Sequence, residues 1–380
     1  MRAQTSAAIA AAAFILSACS SGSGSMPVSG TPAGSNNGMS QRVAQSSAAA
    51  SKDDSSVLAT LTDEKTVGSL VDPVTGDVNP YGLTVAPVTN GKITAGDLVV
   101  CDFNDKNNVQ GTGTAIVTIH PAIGSTPAHV VNNPVLKGCD ALALAPDDTI
   151  WPADFTANNA PIVGAGGQIF TTESNGPWFN PFGEAFVPPI DSNTPAAFYV
   201  SNAGSGNLVR IAIGNTITFT IIARGFPINQ GPPGSILGPS GLTYDKSFDR
   251  LYVVDGQDNA LYAIDNVSKV GTNGITVHGL TFTGPSASSA HVISHGAPLN
   301  GPISAARLPG GHIVVGNTLD PSGKNLIIEI TPSGHEIFVK NVDKGTAGAI
   351  FGMVATGDSA SNTKLYFNDD NSNALVVLQR

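Results

Sequence analysis

One sequence pattern recurs six times between Asn79 and Arg380. A short apolar strand follows a Pro/Gly turn, a second strand rich in β-branched and aromatic residues ends in Asp or Asn, and a third strand begins a few residues later. The clearest copy comprises Pro239–Tyr244, Arg250–Asp255 and Asn259–Ile264. Apolar and polar residues alternate with a period of two in these runs, which indicates strands and not helices.

The Asp or Asn that closes each second strand sets the period of the repeat. These ring residues are Asp102, Asp154, Asn202, Asp255, Asn317 and Asp369. Successive members lie 52, 48, 53, 62 and 52 residues apart, which suits a four-stranded blade of about 40 to 50 residues. One such sheet cannot bury both of its faces alone, so the blades must stack around an axis. The sequence therefore predicts an all-β protein, a β-propeller of six four-stranded blades.

The last copy ends after three strands, the third of which lies within Asn373–Arg380. A fourth strand must come from elsewhere, because an unpaired edge would expose its backbone donors and acceptors. Lys65–Leu70 directly precedes the first copy. We expect this N-terminal segment to close the ring by pairing beside the C-terminal strand.

The N-terminus has the features of a targeting signal. Arg2 is followed by an apolar run, Ala7–Leu16, which is too short to span a bilayer. The sequence Leu16-Ser-Ala-Cys19 resembles the lipobox of bacterial lipoproteins. That resemblance implies removal of a signal peptide, residues 1–18, and attachment of several acyl chains to Cys19, which anchors a protein stably. The alternative is an ordinary secretory signal.

Residues 19–63 are dominated by Ser, Gly and Ala and are predicted to form a flexible tether, followed by the propeller at residues 64–380. Some 40 residues of random coil would hold the propeller roughly 35 Å from a membrane. Since Ser20, and not Asp, follows the cysteine, the expected address is the bacterial cell envelope at the outer membrane.

Composition narrows the range of partners. The chain has 18 Lys and Arg against 28 Asp and Glu, a formal net charge of −10. An acidic surface repels phosphate backbones, so nucleic acid is not an expected partner. The expected partners are the membrane, through the lipid anchor, and a protein or small molecule of unknown identity.

Two cysteines remain for the propeller, Cys101 and Cys139. Cys101 precedes Asp102 at the end of the first copy's second strand, and Cys139 opens the first strand of the next copy. These ends lie on the same face of a propeller, so a disulfide is compatible with the fold in an oxidising compartment. Two buried free thiols are the alternative.

The repeat resembles that of the NHL family of six-bladed propellers, in which a strand ends in Asp and an Asn precedes the next strand. Asp255 with Asn259 and Asp369 with Asn373 match this pattern, while the other copies are degenerate. The resemblance covers about Lys65 to Arg380. It implies a ring of blades around a central channel.

Propellers bind ligands on the face that carries the turns into each first strand. Alignment of the six copies places a set of side chains around that opening: Tyr81, Asp140, Phe182, Ser240, Ile303 and Phe351. Apolar walls with a few polar groups are typical of a small-molecule pocket. The aromatic rings would equally well plug the channel.

The six ring residues have two interpretations. Converging carboxylates and amides would hold Ca²⁺ or another divalent cation, which takes six to eight oxygen ligands. Alternatively, each Asp or Asn accepts hydrogen bonds within its own turn. Repetition in every blade favours the structural role, because one axial ion does not need the same ligand from each blade. No cofactor is therefore required by the sequence.

Two enzyme families use similar rings. Gluconolactonase-type propellers hold a divalent metal with a Glu, two Asn and an Asp; by resemblance these would be Glu184, Asn202, Asn317 and Asp255. Streptogramin lyases use His and Glu, and this chain has His291 and His295 in a Gly/Ser/Pro-rich insertion, expected to be a solvated loop. The first hypothesis is a non-catalytic binding or scaffold propeller, and the second is a metal-dependent hydrolase or lyase.

Overall fold

The computed structural model describes residues 55–380, which form one compact unit of six β-sheets. The predicted six-bladed propeller is confirmed: each sheet contains one inner strand, and the six inner strands pack side by side around an axis. Five sheets have four strands and one has six.

The first half of the ring contains blades 1 to 3. Its strands, after the N-terminal strand β1 (Asp63–Ser69), are β2 (Val78–Val85), β3 (Leu98–Asn104), β4 (Ala115–Ile119) and β5 (Ala128–Asn132) in blade 1; β6 (Cys139–Leu144), β7 (Ile150–Asp154), β8 (Ala160–Val163) and β9 (Ile169–Glu173) in blade 2; and β10 (Pro181–Val187), β11 (Ala197–Asn202), β12 (Asn207–Ile213) and β13 (Ile217–Arg224) in blade 3.

The second half contains blades 4 to 6. Its strands are β14 (Pro239–Asp245), β15 (Arg250–Asp255), β16 (Ala260–Ile264) and β19 (Ala290–His295) in blade 4; β20 (Ser304–Arg307), β21 (Ile313–Asn317), β22 (Asn325–Ile330) and β23 (Glu336–Val342) in blade 5; and β24 (Met353–Thr356), β25 (Lys364–Asp369) and β26 (Ala374–Gln379) in blade 6. Between β16 and β19 the chain also forms β17 (Ile275–His278) and β18 (Thr281–Thr283), which belong to the sheet of blade 3. Short 3-10 turns span Leu58–Thr60, Pro134–Leu136, Val267–Lys269 and Ala287–Ser289.

The chain termini meet in blade 6. Strand β1 pairs antiparallel with β26, from Asp63 opposite Gln379 to Ser69 opposite Ala374. The order of this sheet is β1-β26-β25-β24. The outermost strand of blade 6 thus comes from the N-terminal side of the propeller.

The ordered structure begins before the predicted boundary at residue 64. Val57, Leu58 and Leu61 are buried in the core between blades 5 and 6. The buried carboxylate of Glu329 on β22 accepts hydrogen bonds from the backbone N–H of Val57 (3.1 Å) and Leu58 (2.8 Å) and from the hydroxyl of Ser56 (2.5 Å). Residues 57–61 therefore pack against the propeller, because three aliphatic side chains in this stretch supply enough apolar surface to dock.

Each inner strand runs from one face of the ring to the other. We call the face with the six ring residues the ring face and the opposite one, with the turns between first and second strands, the far face. Near the ring face the inner strands approach closely. A Cβ atom at Gly183 would overlap the carbonyl oxygen of Ser240, and one at Gly352 would overlap that of Tyr81. Glycine at these positions lets blade 3 contact blade 4 and blade 6 contact blade 1.

The core is divided among the interfaces between blades. Leu83 packs between blades 6 and 1, Leu142 between blades 1 and 2, and Leu242 between blades 3 and 4. Every interface buries β-branched side chains from both of its sheets. Burial of this apolar surface stabilises the ring.

The extra residues of the fourth copy extend a neighbouring blade. Strands β17 and β18 lie between β16 and β19 of blade 4 in sequence, but β17 pairs in parallel with β13 and makes blade 3 six-stranded. The sequence predicted that His291 and His295 lie in a solvated loop. Both residues instead lie on β19, the outermost strand of blade 4. His291 Nδ1 lies 3.8 Å from Asp265 Oδ2.

Cys19, the predicted signal peptide at residues 1–18 and the predicted tether up to residue 54 lie outside the described residues. Within residues 55–380, no helix has the length and apolar character needed to cross a membrane.

Candidate functional site

The ring-face end of the axis is filled by aromatic rings. The Tyr81 ring stacks on the rings of Phe351 and Phe103, with centroid distances of 3.6 and 4.3 Å. Phe103 meets Phe155 edge-on, and Phe155 meets Phe182 in the same way. Of the two interpretations of these side chains, a collar or a plug, the structure shows the plug.

A connecting loop covers this plug. Residues 225–238 join blade 3 to blade 4, and Ile236 from this loop is buried among the aromatic rings. The side chain of Asn229 fixes the loop, because its oxygen accepts from the N–H groups of Gly231 and Leu237 and its amide donates to Ser235. The predicted ligand mouth is thus closed by protein.

The predicted mouth residues nevertheless surround the axis. Five of them line a small cavity of about 60 Å³ beneath the plug: Tyr81, Asp140, Phe182, Ile303 and Phe351. Ser240 instead donates its hydroxyl to the carbonyl of Val254 (3.2 Å), and its own carbonyl accepts from Ser201 (2.7 Å). We call the cavity the upper cavity.

Two of the ring residues, both asparagines, are used to hold connecting loops. The amide of Asn202 donates to the Pro177 carbonyl (2.9 Å), and the amide of Asn317 donates to the Pro298 carbonyl (2.7 Å). Their side-chain oxygens accept from backbone N–H groups of the same loops. These contacts explain the repeated Asn by local structure.

Two ring aspartates close their own turns. Asp255 Oδ1 accepts from the N–H groups of Gln257 (2.8 Å) and Asp258 (3.1 Å), and Asp369 accepts from the N–H and hydroxyl of Ser372. Burial nonetheless raises the pKa of Asp255 to about 7. Four of the six ring residues thus have the structural role.

The remaining two, Asp102 and Asp154, are different. Both are fully buried, and none of their four carboxyl oxygens has a hydrogen-bond partner. Burial raises the pKa of both carboxyls well above the usual value, with a further contribution from Asp77 and Asp72 at Asp102. Among the described residues, no three His, Cys, Asp or Glu side chains are arranged to hold a metal ion.

The gluconolactonase-type set is not assembled as a ligand cluster. Asn202 and Asn317 are bound to their loops, and Asp255 to its turn. Glu184 lies elsewhere, on the inner strand β10, opposite Val200 of β11. The set proposed from resemblance does not match the geometry of residues 55–380.

A second and larger space lies along the axis toward the far face. This lower cavity is open-ended, has a volume of about 310 Å³ and is lined by two successive residues from β2 and three from each of the other five inner strands. Its outer rim includes Phe186, Tyr244 and Arg307. The guanidinium of Arg307 lies 3.0 Å from the Asp245 carboxylate. The accessible end of the axis is therefore on the face opposite to the predicted one.

Six residues line both cavities and separate them: Leu83, Leu142, Glu184, Leu242, Ala305 and Met353. We call them the axial ring. Glu184 is its single acid; the residue is 8% exposed, and neither carboxyl oxygen has a hydrogen-bond partner within residues 55–380. Burial, together with the nearby Asp154, raises the pKa of Glu184 well above the usual value. Asp140, in the upper cavity, is also buried and unpartnered, and burial raises its pKa.

The sequence contained a signal for the lower cavity that was missed. The residues one step further along the inner strands are all small or β-branched: Thr84, Ala143, Ala185, Thr243, Ala306 and Val354. Small side chains at the same level of all six blades leave space around the axis. Alignment of the copies would have predicted this space.

Cys101 and Cys139 form a disulfide, with their Cα atoms 5.9 Å apart. Cys101 lies on β3 and Cys139 on β6, so the bond joins blade 1 to blade 2. It lies in the core between the two blades.

This architecture defines the chain as a six-bladed β-propeller with a closed ring face. The fold is similar to that of the gluconolactonase of Xanthomonas campestris, with a TM-score of 0.57 and 12% identity over 85% of this chain and 92% of that chain. It is also similar to regucalcin, a calcium-binding protein from Agrobacterium tumefaciens, with a TM-score of 0.51 and 14% identity over 82% and 93% of the two chains.

Virginiamycin B lyase from Staphylococcus aureus aligns with a TM-score of 0.47 and 18% identity over 81% of each chain. No protein-family model matches the sequence, and no curated protein matches it. At these identities the structural similarity shows the fold alone.

Proposed function

We propose that the chain is a non-catalytic binding propeller with NHL-like repeats, held at the bacterial cell envelope by a lipid on Cys19, that takes a small apolar ligand through the far face. The observation that carries the proposal is the contrast between the two ends of the axis. The ring-face end is closed by stacked aromatic rings. The far-face end opens into a cavity lined by aliphatic side chains together with polar groups such as Thr243, Tyr244 and Arg307, a combination found in small-molecule sites.

The proposed address rests on two independent features. The sequence before Cys19 resembles a lipobox, and the Cys101–Cys139 bond fits an oxidising compartment outside the cytoplasm. Cys19→Ser should move the protein from the membrane fraction to the soluble extract. If the variant stays with the membrane, the lipid anchor is wrong.

The metal-dependent hydrolase or lyase is the alternative. Its support is the shared fold with a gluconolactonase and a calcium-binding protein. Against it, the amides of Asn202 and Asn317 are occupied by backbone groups. Binding is therefore the favoured function, and a divalent cation is not required for it.

The ligand site can be tested with a fluorescent apolar probe, 1-anilinonaphthalene-8-sulfonate. Thr243 lines the lower cavity and is half-buried, so Thr243→Trp should fill the space and reduce probe binding at least about tenfold, as expected when an apolar pocket is lost. The matched control is Thr94→Trp, at an exposed threonine outside the cavity.

Equal binding of the probe by both variants would place the probe elsewhere and contradict the proposed site.

The metal-dependent alternative is tested by measuring the melting temperature of the wild-type protein with EDTA and then with Ca²⁺, Mg²⁺, Mn²⁺ or Zn²⁺. Ions that bind only the folded state raise its melting temperature. A large and selective rise would favour the metal-dependent alternative.

A further inference from the structure

The axial ring contains one residue that breaks its pattern. Five members are aliphatic or thioether side chains, and the sixth is Glu184. The residues occupy equivalent pairing positions, since Leu83 faces Val100, Glu184 faces Val200 and Leu242 faces Val253. The fold itself therefore accepts an apolar residue at this position, and the acid needs another explanation.

A buried carboxyl without partners is costly. Transfer of a polar group from water without a new hydrogen bond costs about 1 to 3 kcal/mol in proteins, and neither oxygen of Glu184 has a donor or acceptor. Asp154, whose charge also raises the pKa of Glu184, has no hydrogen-bond partner for its carboxyl among the described residues. A ligand that donates hydrogen bonds, and carries positive charge, would satisfy this group.

The shape of the lower cavity restricts the ligand. Small side chains such as Ala143, Ala185 and Ala306 surround the axis directly below the axial ring. A slender aliphatic chain would fit between them with its head group at the level of Glu184. A metal ion fits less well, because no group of three acidic, His or Cys ligands exists among residues 55–380.

We propose that Glu184 binds the terminal ammonium group of a slender aliphatic amine that enters the lower cavity from the far face. The inference rests on the proposed function, since it uses the same cavity. A charge-assisted hydrogen bond between ammonium and carboxylate is stronger than a neutral one. Burial raises the pKa of Glu184 in the empty site, and a bound ammonium group favours the carboxylate form. Binding of R–NH₃⁺ therefore shifts the carboxyl toward carboxylate and releases to solvent the proton that the carboxyl loses.

Calorimetric titration of the purified full-length protein with n-hexylamine and with 1-hexanol, near pH 7, tests the proposal. The two probes have the same chain, and the amine is protonated at this pH. The wild type should bind hexylammonium at least about tenfold more tightly than hexanol, the ratio expected of one charged hydrogen bond. Titration in buffers of different ionisation enthalpy should show that protons are released when the amine binds and not when hexanol binds.

Glu184→Gln and Glu184→Leu should abolish the preference for the amine and leave hexanol binding in place. The leucine variant is expected to fold, because the equivalent residues in the other blades are apolar. Glu64→Gln, at an exposed acid on β1, is the control for general charge effects.

The outcomes separate the inference from the function on which it rests. If both probes bind with equal affinity and Thr243→Trp blocks both, the cavity is a ligand site but the role of Glu184 is wrong. If neither probe binds, both proposals fail. If the preference for the amine survives in Glu184→Leu, the ammonium binds another group and the assignment to Glu184 is overturned.

Discussion

The two halves of the propeller differ in whether their buried carboxyl groups have hydrogen-bond partners. In blades 1 to 3, four buried carboxyl groups have no hydrogen-bond partner on either oxygen: Asp102, Asp140, Asp154 and Glu184. In blades 4 to 6, the equivalent positions are apolar or have partners. Ser240 donates to Val254, and Asp369 accepts from Ser372.

The difference shows that the repeat alone does not demand unpartnered acids. Blades 4 to 6 build the same architecture without them, so the acids of blades 1 to 3 are not needed for the fold. Buried polar groups without partners are unfavourable for folding, and natural proteins keep such unfavourable features mainly at functional sites. The axial side of blades 2 and 3 is therefore where we place function.

The largest expected effect is on the free energy of unfolding when Glu329, a buried and hydrogen-bonded acid in blade 5, is replaced. Glu329→Leu should lower the free energy of unfolding by about 3 kcal/mol or more, the usual cost of breaking a buried charged network. The variant leaves the N–H groups of Val57 and Leu58 without their acceptor and removes the partner that lies 2.8 Å from His312 Nδ1. Chemical denaturation measures the loss.

Burial raises the pKa of Glu329, but hydrogen bonds from His312, Ser56, Leu58 and Val57 outweigh it, and the pKa is lowered overall. Glu336→Leu, at an exposed acid in the same blade, is the control. An unchanged free energy of unfolding for Glu329→Leu would mean that the N-terminal segment docks through its apolar side chains alone.

The matched substitution in the first half, Glu184→Leu, should raise the free energy of unfolding instead of lowering it. Glu184→Leu replaces an unpartnered buried carboxyl by the residue found in the axial ring at Leu83, Leu142 and Leu242. We expect a gain of about 1 to 3 kcal/mol, the penalty of an unsatisfied buried polar group. Thermal and urea denaturation of the ligand-free protein measure it. A loss of stability would show that Glu184 has a partner in solution, and the contrast between the halves would then fail.

Sequence could predict the architecture because the architecture is repeated. The period-two strands and the Asp or Asn at each second strand's end fix the blades and their register. The partners of those residues could not be predicted, because they come from connections that do not repeat. Asn202 binds the carbonyl of Pro177, whereas Asp154, in the equivalent position, binds nothing.

The same reason explains two further misses. The loop at residues 225–238 closes the ring face, and no other copy has a similar segment. Strands β17 and β18 lie within the fourth copy but pair with blade 3. Long-range contacts of single insertions leave no periodic signal, so sequence reasoning could not anticipate that a loop covers the ring face.

The smallest expected effect is on the pH dependence of stability. Burial raises the pKa values of Asp102, Asp154 and Glu184, so these groups bind more protons in the folded than in the unfolded state above about pH 4. Their contribution to stability is complete below that pH and is lost as the pH rises through the folded pKa values. Asp255, with a pKa of about 7, acts in the same direction. The melting temperature should therefore fall between pH 5 and pH 8.

Asp154→Asn tests whether the first half causes this fall. Asparagine is the natural ring residue in blades 3 and 5, and it does not titrate. The variant should therefore show a smaller fall in melting temperature between pH 5 and pH 8, because the contribution of Asp154 to that fall is removed. Asp72→Asn is the control with the opposite sign: burial raises the pKa of Asp72, but hydrogen bonds from Thr75 and His129 lower it overall, and its stabilising contribution is lost only as the pH falls below about 4. An Asp154→Asn profile identical to that of the wild type would mean that Asp154 is already ionised and solvated in the folded protein, and the unpartnered acids would then cease to distinguish blades 1 to 3 from blades 4 to 6.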